Sequence, residues 1–220
     1  HAVEAGKQRE ILYGPDYFDY GASGLDAKAL AGLGFAGFRI LDGQDKPTDW
    51  LAFQGASYFR SSGQDGQYGA SARGIAINTA TATPEEFPRF SQFWLESSGP
   101  VIGIYALLDG PSITGAYRFD CRKAQGVVMD VHCALFLRAD IPRLGIAPLT
   151  SMYWYGENAR PRDADWRPEI HDSDGLSLWT GKGERVWRPL IDPPVVKTNA
   201  FADTDPKGFG LMQRDRDFDH

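Results

Sequence analysis

The sequence predicts an all-β protein, a large sandwich of antiparallel sheets, and three observations carry that expectation. Short runs alternating between apolar and polar residues recur along most of the chain, bounded by Gly, Pro, Asn or Asp. Hardly any segment has the three-to-four-residue apolar spacing of a helix. A parallel α/β sheet would need a crossover helix between successive strands, and the connections leave no room for one.

Taken in order, residues 1–24 hold scattered polar groups, Gly14-Pro15 and an aromatic cluster of Tyr13, Tyr17, Phe18 and Tyr20, an irregular lead-in. Leu25 to Leu33 sets Leu25, Ala29, Leu30 and Leu33 on one face, so one short helix is expected there, stopped by Gly34. Strands are expected over 36–41, 57–61, 70–79, 89–96, 101–108, 113–122, 126–138, 147–155, 175–180, 184–189, 197–202 and 208–214. The clearest hairpin joins Leu176–Thr180 to Glu184–Arg188 through Gly181-Lys182-Gly183, a short Gly-bearing loop between alternating runs. No fixed-period repeat suggests a propeller, and no low-complexity linker divides the chain. A single domain over 1–220 is expected.

Six Trp, nine Tyr and thirteen Phe supply large core pieces for 220 residues. A net charge of -6 and a pI near 5.2 advertise no basic surface to nucleic acid or anionic lipid. No apolar run reaches the roughly 18 residues of a membrane span. The first residue is His1 and not Met, so a missing leader carries no information about compartment. Oligomeric state is not legible.

Cys121 and Cys133 lie in neighbouring alternating runs, with Tyr117, Phe119 and Cys121 on one face and Val127, Met129, Val131, Cys133, Leu135 and Leu137 on the other run's matching face. If the chain turns back at Lys123–Gly126, the cysteines stay at least four residues out of register, roughly 13 Å. A disulfide needs Cα atoms within about 7 Å, so two free, mostly buried thiols are expected.

The densest chemistry lies at Trp166-Arg167-Pro168-Glu169-Ile170-His171-Asp172-Ser173-Asp174-Gly175. Carboxylates beside Trp and Arg suit gripping a sugar and moving its protons, while Asp, Ser and Gly equally make a plain polar turn. Other chemistries have less support. The Gly-rich pieces, such as 63–69, open no helix for a phosphate, and no Gly-x-Ser-x-Gly elbow occurs. Four His in all make a His-rich cage improbable, and no calcium loop surrounds His171–Asp174, so neither metal nor cofactor is expected. His132 and Asp130 read as strand surface. Trp154, Trp179, Trp187, Tyr153 and Tyr155 are core pieces or flat platforms for sugar rings. Arg214-Asp215-Arg216-Asp217 reads either as an exposed charge ladder or as two cations lining a groove.

A set of phrases in fixed order then resembles a known family. Gly34-Phe35-Ala36-Gly37-Phe38-Arg39, Gly55-Ala56-Ser57-Tyr58-Phe59-Arg60, Tyr68-Gly69-Ala70-Ser71-Ala72-Arg73-Gly74, Glu86-Phe87-Pro88-Arg89-Phe90 and Ile104-Tyr105-Ala106-Leu107-Leu108-Asp109 come first. Leu144–Met152, His171–Gly175 and Gly208–Phe218 complete the set. Together they resemble the osmoregulated periplasmic glucan biosynthesis proteins, types G and D. The resemblance implies a periplasmic protein with a galactose-mutarotase-like β-sandwich followed by a small immunoglobulin-like domain, acting on β-1,2-linked glucan. D-type members resemble inverting endo-β-1,2-glucanases, and inversion needs a general acid and a general base.

By the same resemblance the general base falls on Asp172, acting through relayed water, with Asp174 as the second choice. The family's relay Tyr, its general acid and the immunoglobulin-like domain would lie past His220, so this chain reads as a fragment of that architecture. Arg60, Tyr68, Trp154, Trp166, Arg167, Glu169, His171, Asp174 and Arg214 are expected to line the groove. The alternative to a hydrolase or remodelling enzyme is a protein that holds or assembles glucan without cleaving it.

Overall fold

The computed structural model describes residues 1–43, 45–64, 66–160 and 166–213. Its elements are almost all strands: β1 (Ala2–Glu4), β2 (Lys7–Arg9), β3 (Gly37–Asp42), β4 (Thr48–Gln54), β5 (Tyr58–Ser61), β6 (Ser71–Arg73), β7 (Ile75–Ile77), β8 (Arg89–Ser98) and β9 (Val101–Asp109). They continue as β10 (Ile113–Lys123), β11 (Val127–Leu137), β12 (Leu144–Ile146), β13 (Leu149–Thr150), β14 (Tyr153–Tyr155), β15 (Ile170–His171), β16 (Gly175–Trp179), β17 (Arg185–Pro189) and β18 (Gly208–Met212). The all-β, sandwich-like architecture is as expected.

A six-stranded sheet runs β11-β10-β9-β8-β1-β2 and a five-stranded sheet runs β13-β6-β5-β4-β3. Small sheets β12-β7, β14-β15 and β17-β16-β18 complete the set. Pairing is antiparallel except where β1 lies parallel to β8, with Ala2 opposite Leu95. β10 alternates as the pattern requires: Ile113, Gly115, Tyr117, Phe119 and Cys121 are buried, with more accessible residues between. These side chains meet Leu51 and Phe53 of β4 and Phe59 of β5. Phe119 stands edge-on to Phe53 at 5.0 Å and to Phe59 at 4.9 Å, the packing of two sheets face to face. Each fully buried large apolar side chain here stabilises the fold by roughly 1.5–3 kcal/mol relative to exposure.

Several elements differ from expectation. β4 was not anticipated, because Trp50, Leu51, Ala52 and Phe53 are all buried and the run therefore never alternates. β1 and β2 were missed because they are short and polar; Ala5 and Gly6, with φ of 49° and 75°, turn the hairpin between them. β12 was also not anticipated. The run 70–79 breaks at Gly74 into β6 and β7, and 147–155 breaks into β13 and β14. No strand forms over 197–202. The expected helix at Leu25–Leu33 is reduced to a single 3₁₀ turn, Ala27–Leu30, capped by the Asp26 side chain.

The cysteines are free, with Tyr117 opposite Cys133 and Cys121 opposite Met129, the four-residue offset anticipated. Their burial is a correction: Cys121 is buried but Cys133 is exposed. β11 is the edge of its sheet, and Val131 and Leu137 on the same face are 43% and 62% exposed. On that face Val127, Met129 and Leu135 pack partly buried against the core. No described helix is long and apolar enough to cross a membrane.

Candidate functional site

The corner His171–Gly175 is held where three sheets meet. β13 leaves the five-stranded sheet and reaches β14 through Ser151 and Met152; β14 pairs with β15, Tyr153 opposite His171, and β16 starts at Gly175. Asp172 and Met152 close a reciprocal pair: the Asp172 amide donates to the Met152 carbonyl at 2.9 Å, and the Met152 amide donates to Asp172 Oδ2 at 3.1 Å. Ser173 is buried, its hydroxyl 2.7 Å from that of Ser151. The Asp174 amide donates to Met212 O of β18 at 2.9 Å, and its carbonyl accepts from the Leu190 amide at 2.7 Å. Gly175 is required by space: a Cβ there would lie 2.4 Å from Arg188 O and 2.8 Å from a Trp187 ring carbon. Short polar side chains followed by Gly thus fold a corner whose backbone bonds go outward to all three neighbours.

Within the corner His171 acts as a clasp. Its side chain is only 10% exposed, with Nε2 2.9 Å from Glu169 Oε2 and Nδ1 3.6 Å from Asp174 Oδ1. The second distance is too long for a hydrogen bond, and Nδ1 is buried without one among the described residues. The ring stacks on Tyr153 at 6.2 Å and 16°. Glu169 and Asp174 are therefore drawn to opposite sides of one imidazole.

The loop carrying Tyr68 approaches from the five-stranded sheet. A Cβ built on Gly69 would sit 3.9 Å from Asp172 Cβ, so a side chain there would only just meet Asp172. Tyr68 donates its hydroxyl to Asp49 Oδ2 at 3.0 Å, and Arg39 pairs with the same carboxylate. Arg60 lies 4.8 Å over the Tyr68 ring, a cation–π contact. Burial, and then the hydrogen bond to Asp49, push the Tyr68 phenol up to about 12. The hydrogen bond from Tyr68, with Arg39 beside it, holds the Asp49 carboxyl below its ordinary value despite desolvation. Ring and guanidinium are fixed in place.

Arg60 and Tyr68 are brought together with Arg39 and Asp49, while Glu169 and Asp174 are gathered on His171, the residue next to Asp172. Trp154 and Trp166 present open rings, 72% and 78% exposed. The Arg167 carbonyl accepts from the Tyr155 hydroxyl at 3.2 Å, tying the segment before the corner to β14. Arg214, with Asp215, Arg216 and Asp217, lies outside the described residues. Sequence reasoning missed the pairing of Arg39 on β3 with Asp49 inside the unanticipated β4; the signal available was the unbroken apolar run Trp50–Phe53.

Chemically, Asp172 is a partly exposed carboxylate with Oδ2 anchored on a backbone amide. Among the described residues no donor reaches Oδ1, which leaves that oxygen available to a water or a sugar hydroxyl. Among the same residues no group of three or more His, Cys, Asp and Glu side chains is arranged to hold a metal ion.

Residues 1–220 match a family model described as "Periplasmic glucan biosynthesis protein, MdoG". Glucans biosynthesis protein D 1 of Ralstonia nicotianae is 54% identical over 237 residues, covering 100% of this chain and 44% of the relative. Glucans biosynthesis protein D of Xylella fastidiosa is 55% identical over 224 residues, covering 100% and 42%. The protein of the same description in Xanthomonas campestris pv. campestris is 55% identical over 219 residues, covering 98% and 41%. The chain spans less than half the length of these curated relatives.

Proposed function

This chain belongs to the periplasmic glucan biosynthesis protein family, and we propose that it acts in the periplasm on β-1,2-linked glucan, with Asp172 as general base of an inverting hydrolysis or backbone-remodelling reaction. The observation that carries the proposal is the setting of Asp172. Its carboxylate is oriented through the Met152 amide, one oxygen has no donor among the described residues, and the Gly69 loop lies close by, a Cβ built on Gly69 falling 3.9 Å from Asp172 Cβ.

In that reaction Oδ1 accepts a proton from water, directly or through a second water. The hydroxide equivalent attacks the anomeric carbon from the face opposite the leaving oxygen, the glycosidic C–O bond breaks, and a general acid protonates the departing oxygen, which leaves as a hydroxyl of the neighbouring sugar. No general acid is assigned among residues 1–220. Exposed Trp154 and Trp166 offer flat faces to the C–H faces of glucose rings. Arg60, steadied on Tyr68, offers hydroxyl groups a fixed donor. Asp174 and Glu169 hold the corner through His171.

The test is to incubate the full-length polypeptide with linear β-1,2-, β-1,3- and β-1,4-glucans, measuring binding by calorimetry and released oligosaccharides by chromatography. Binding and cleavage confined to the β-1,2 polymer are expected. Binding of that polymer without cleavage would put a glucan-holding role in place of the enzyme, and failure to bind it would overturn the substrate assignment.

A further inference from the structure

Among the described residues of the corner, the buried side-chain atom without a hydrogen bond is His171 Nδ1. Glu169 Oε2 lies 2.9 Å from the other ring nitrogen, and a carboxylate only accepts, so Nε2 carries a hydrogen. In the neutral ring Nδ1 is then bare, and its lone pair faces Asp174 Oδ1 at 3.6 Å, acceptor against acceptor. A proton on Nδ1 turns that opposition into a charge-assisted hydrogen bond, for which the gap has only to close to roughly 2.7–2.9 Å. The Asp174 side chain, 27% exposed, has room to move that far.

We infer that His171 is a positioning residue for Asp172, and that its imidazolium, gripping Glu169 and Asp174 at once, is the state in which the corner holds the Asp172 carboxylate for reaction; the inference rests on the function proposed above. Glu169 precedes Asp172 and Asp174 follows it, so one ring ties the chain together on both sides of the reacting group. The tie counts because little else restrains the segment: β15 is only Ile170–His171, and Asp172 is fastened by its reciprocal bonds with Met152.

The surroundings suit a cation. Glu169 and Asp174 meet the edges of the ring, and Tyr153 of β14 stacks on its face, with Asp192 near the Tyr153 hydroxyl. Burial pushes the Tyr153 phenol up, so it stays neutral while the imidazole changes charge. As pH rises and Nδ1 loses its proton, the Glu169 bond persists but the Asp174 side is released. Turnover then falls through the placement of Asp172. The His171 side chain is only 10% exposed, so glucan binding is not expected to fall with it.

The experiment measures kcat and KM on linear β-1,2-glucan against pH for the full-length polypeptide and for its Asp174→Asn and His171→Gln variants. Asn at 174 donates its amide to a neutral Nδ1, so the tie no longer needs the second proton. The expected result is an alkaline limb in kcat moved to higher pH in Asp174→Asn, with KM unchanged. His171→Gln keeps a donor toward Glu169 and loses Nδ1, and should lower kcat about tenfold or more at the parent's optimum. Imidazole nitrogen NMR without substrate, with the His171 signals assigned by their loss in His171→Gln, should show hydrogen on Nε2 in the neutral ring and a titration that coincides with the parent's alkaline limb. Hydrogen on Nδ1 instead, or the same limb in Asp174→Asn as in the parent, would overturn the inference and leave glucan cleavage by Asp172 intact. Complete loss of cleavage in Asp174→Asn would also overturn it, by making Asp174 the base. A parent that cleaves no glucan at any pH removes the proposed function, and the positioning role falls with it.

Discussion

Replacing Tyr117 by Phe probes how the core supports the site. Tyr117 is 5% exposed and donates its hydroxyl to the Gly74 carbonyl at 2.8 Å, a buried bond across 43 residues. Gly74 separates β6 from β7, and β6 pairs with β13, the strand that leads to Met152 and Asp172. Phe keeps the ring and its contacts at 5.2 Å to Phe90 and 5.9 Å to Phe119. The loss is therefore confined to one oxygen. A net hydrogen bond contributes about 1 kcal/mol, and leaving a buried carbonyl without a partner costs about 1–3 kcal/mol. We expect a destabilisation of about 2 kcal/mol, or a fall in Tm of roughly 4–8 °C at this chain length. Urea unfolding followed by tryptophan fluorescence reads it directly, with Tyr105→Phe, at a position 37% exposed, as a control expected within about 0.5 kcal/mol of the parent. A Tyr117→Phe variant as stable as that control would refute the reasoning, since the Gly74 carbonyl would then not depend on the phenol.

Further outcomes follow from the same geometry. Cys121 is buried, and burial pushes its thiol up to about 12, whereas Cys133 is exposed; a thiol reagent at neutral pH should label Cys133 alone in the folded chain and both in denaturant. Gly175→Ala places a methyl 2.4 Å from Arg188 O and should destabilise by about 2–3 kcal/mol while lowering glucan turnover, measured by unfolding and product release. Arg73, 6% exposed, pairs with Glu85 at 2.7 Å and lies over the Tyr58 and Phe87 rings, so Arg73→Met should cost about 2–3 kcal/mol at neutral pH, a figure reduced for the quarter exposure of Glu85. Burial raises the Glu85 carboxyl, but bonds from Arg73 and Thr79 outweigh it and hold it below its ordinary value. Its stabilising contribution is thus complete above the unfolded value of about 4.3 and is lost as pH falls through the lower folded value; the Arg73→Met variant should show a flatter acid limb in stability against pH. Asp174→Asn, which alters the clasp on His171 and leaves the Met152–Asp172 pair in place, should slow glucan cleavage less than tenfold.

What was legible in the sequence was what alternates. β8, β9, β10 and β11 stand close to their expected bounds because each has one polar and one apolar face. β4 was hidden by burial on both faces, with Trp50 under the Lys123 ammonium at 5.1 Å and Leu51 in the core. The exposure of Val131 and Cys133 could not be read from their own run, since Met129 and Leu135 of the same alternating face pack against the core while these two do not. At the site, the crowding of charge around Asp172 was visible as composition, and Arg60 and Tyr68 entered through the resemblance of their phrases. The approach of the Gly69 loop toward Asp172 and the sharing of Asp49 by Tyr68 and Arg39 are long-range consequences of sheet order, which no local pattern encodes.

The central claim, that Asp172 moves a proton during glucan cleavage, is tested most directly by giving linear β-1,2-glucan to the full-length polypeptide and to its Asp172→Asn variant. Asn keeps the shape and the Met152 contact but accepts a proton poorly. The account predicts cleavage by the parent, slowed on the order of a hundredfold or more in the variant, with glucan affinity retained. Equal cleavage by both would contradict it.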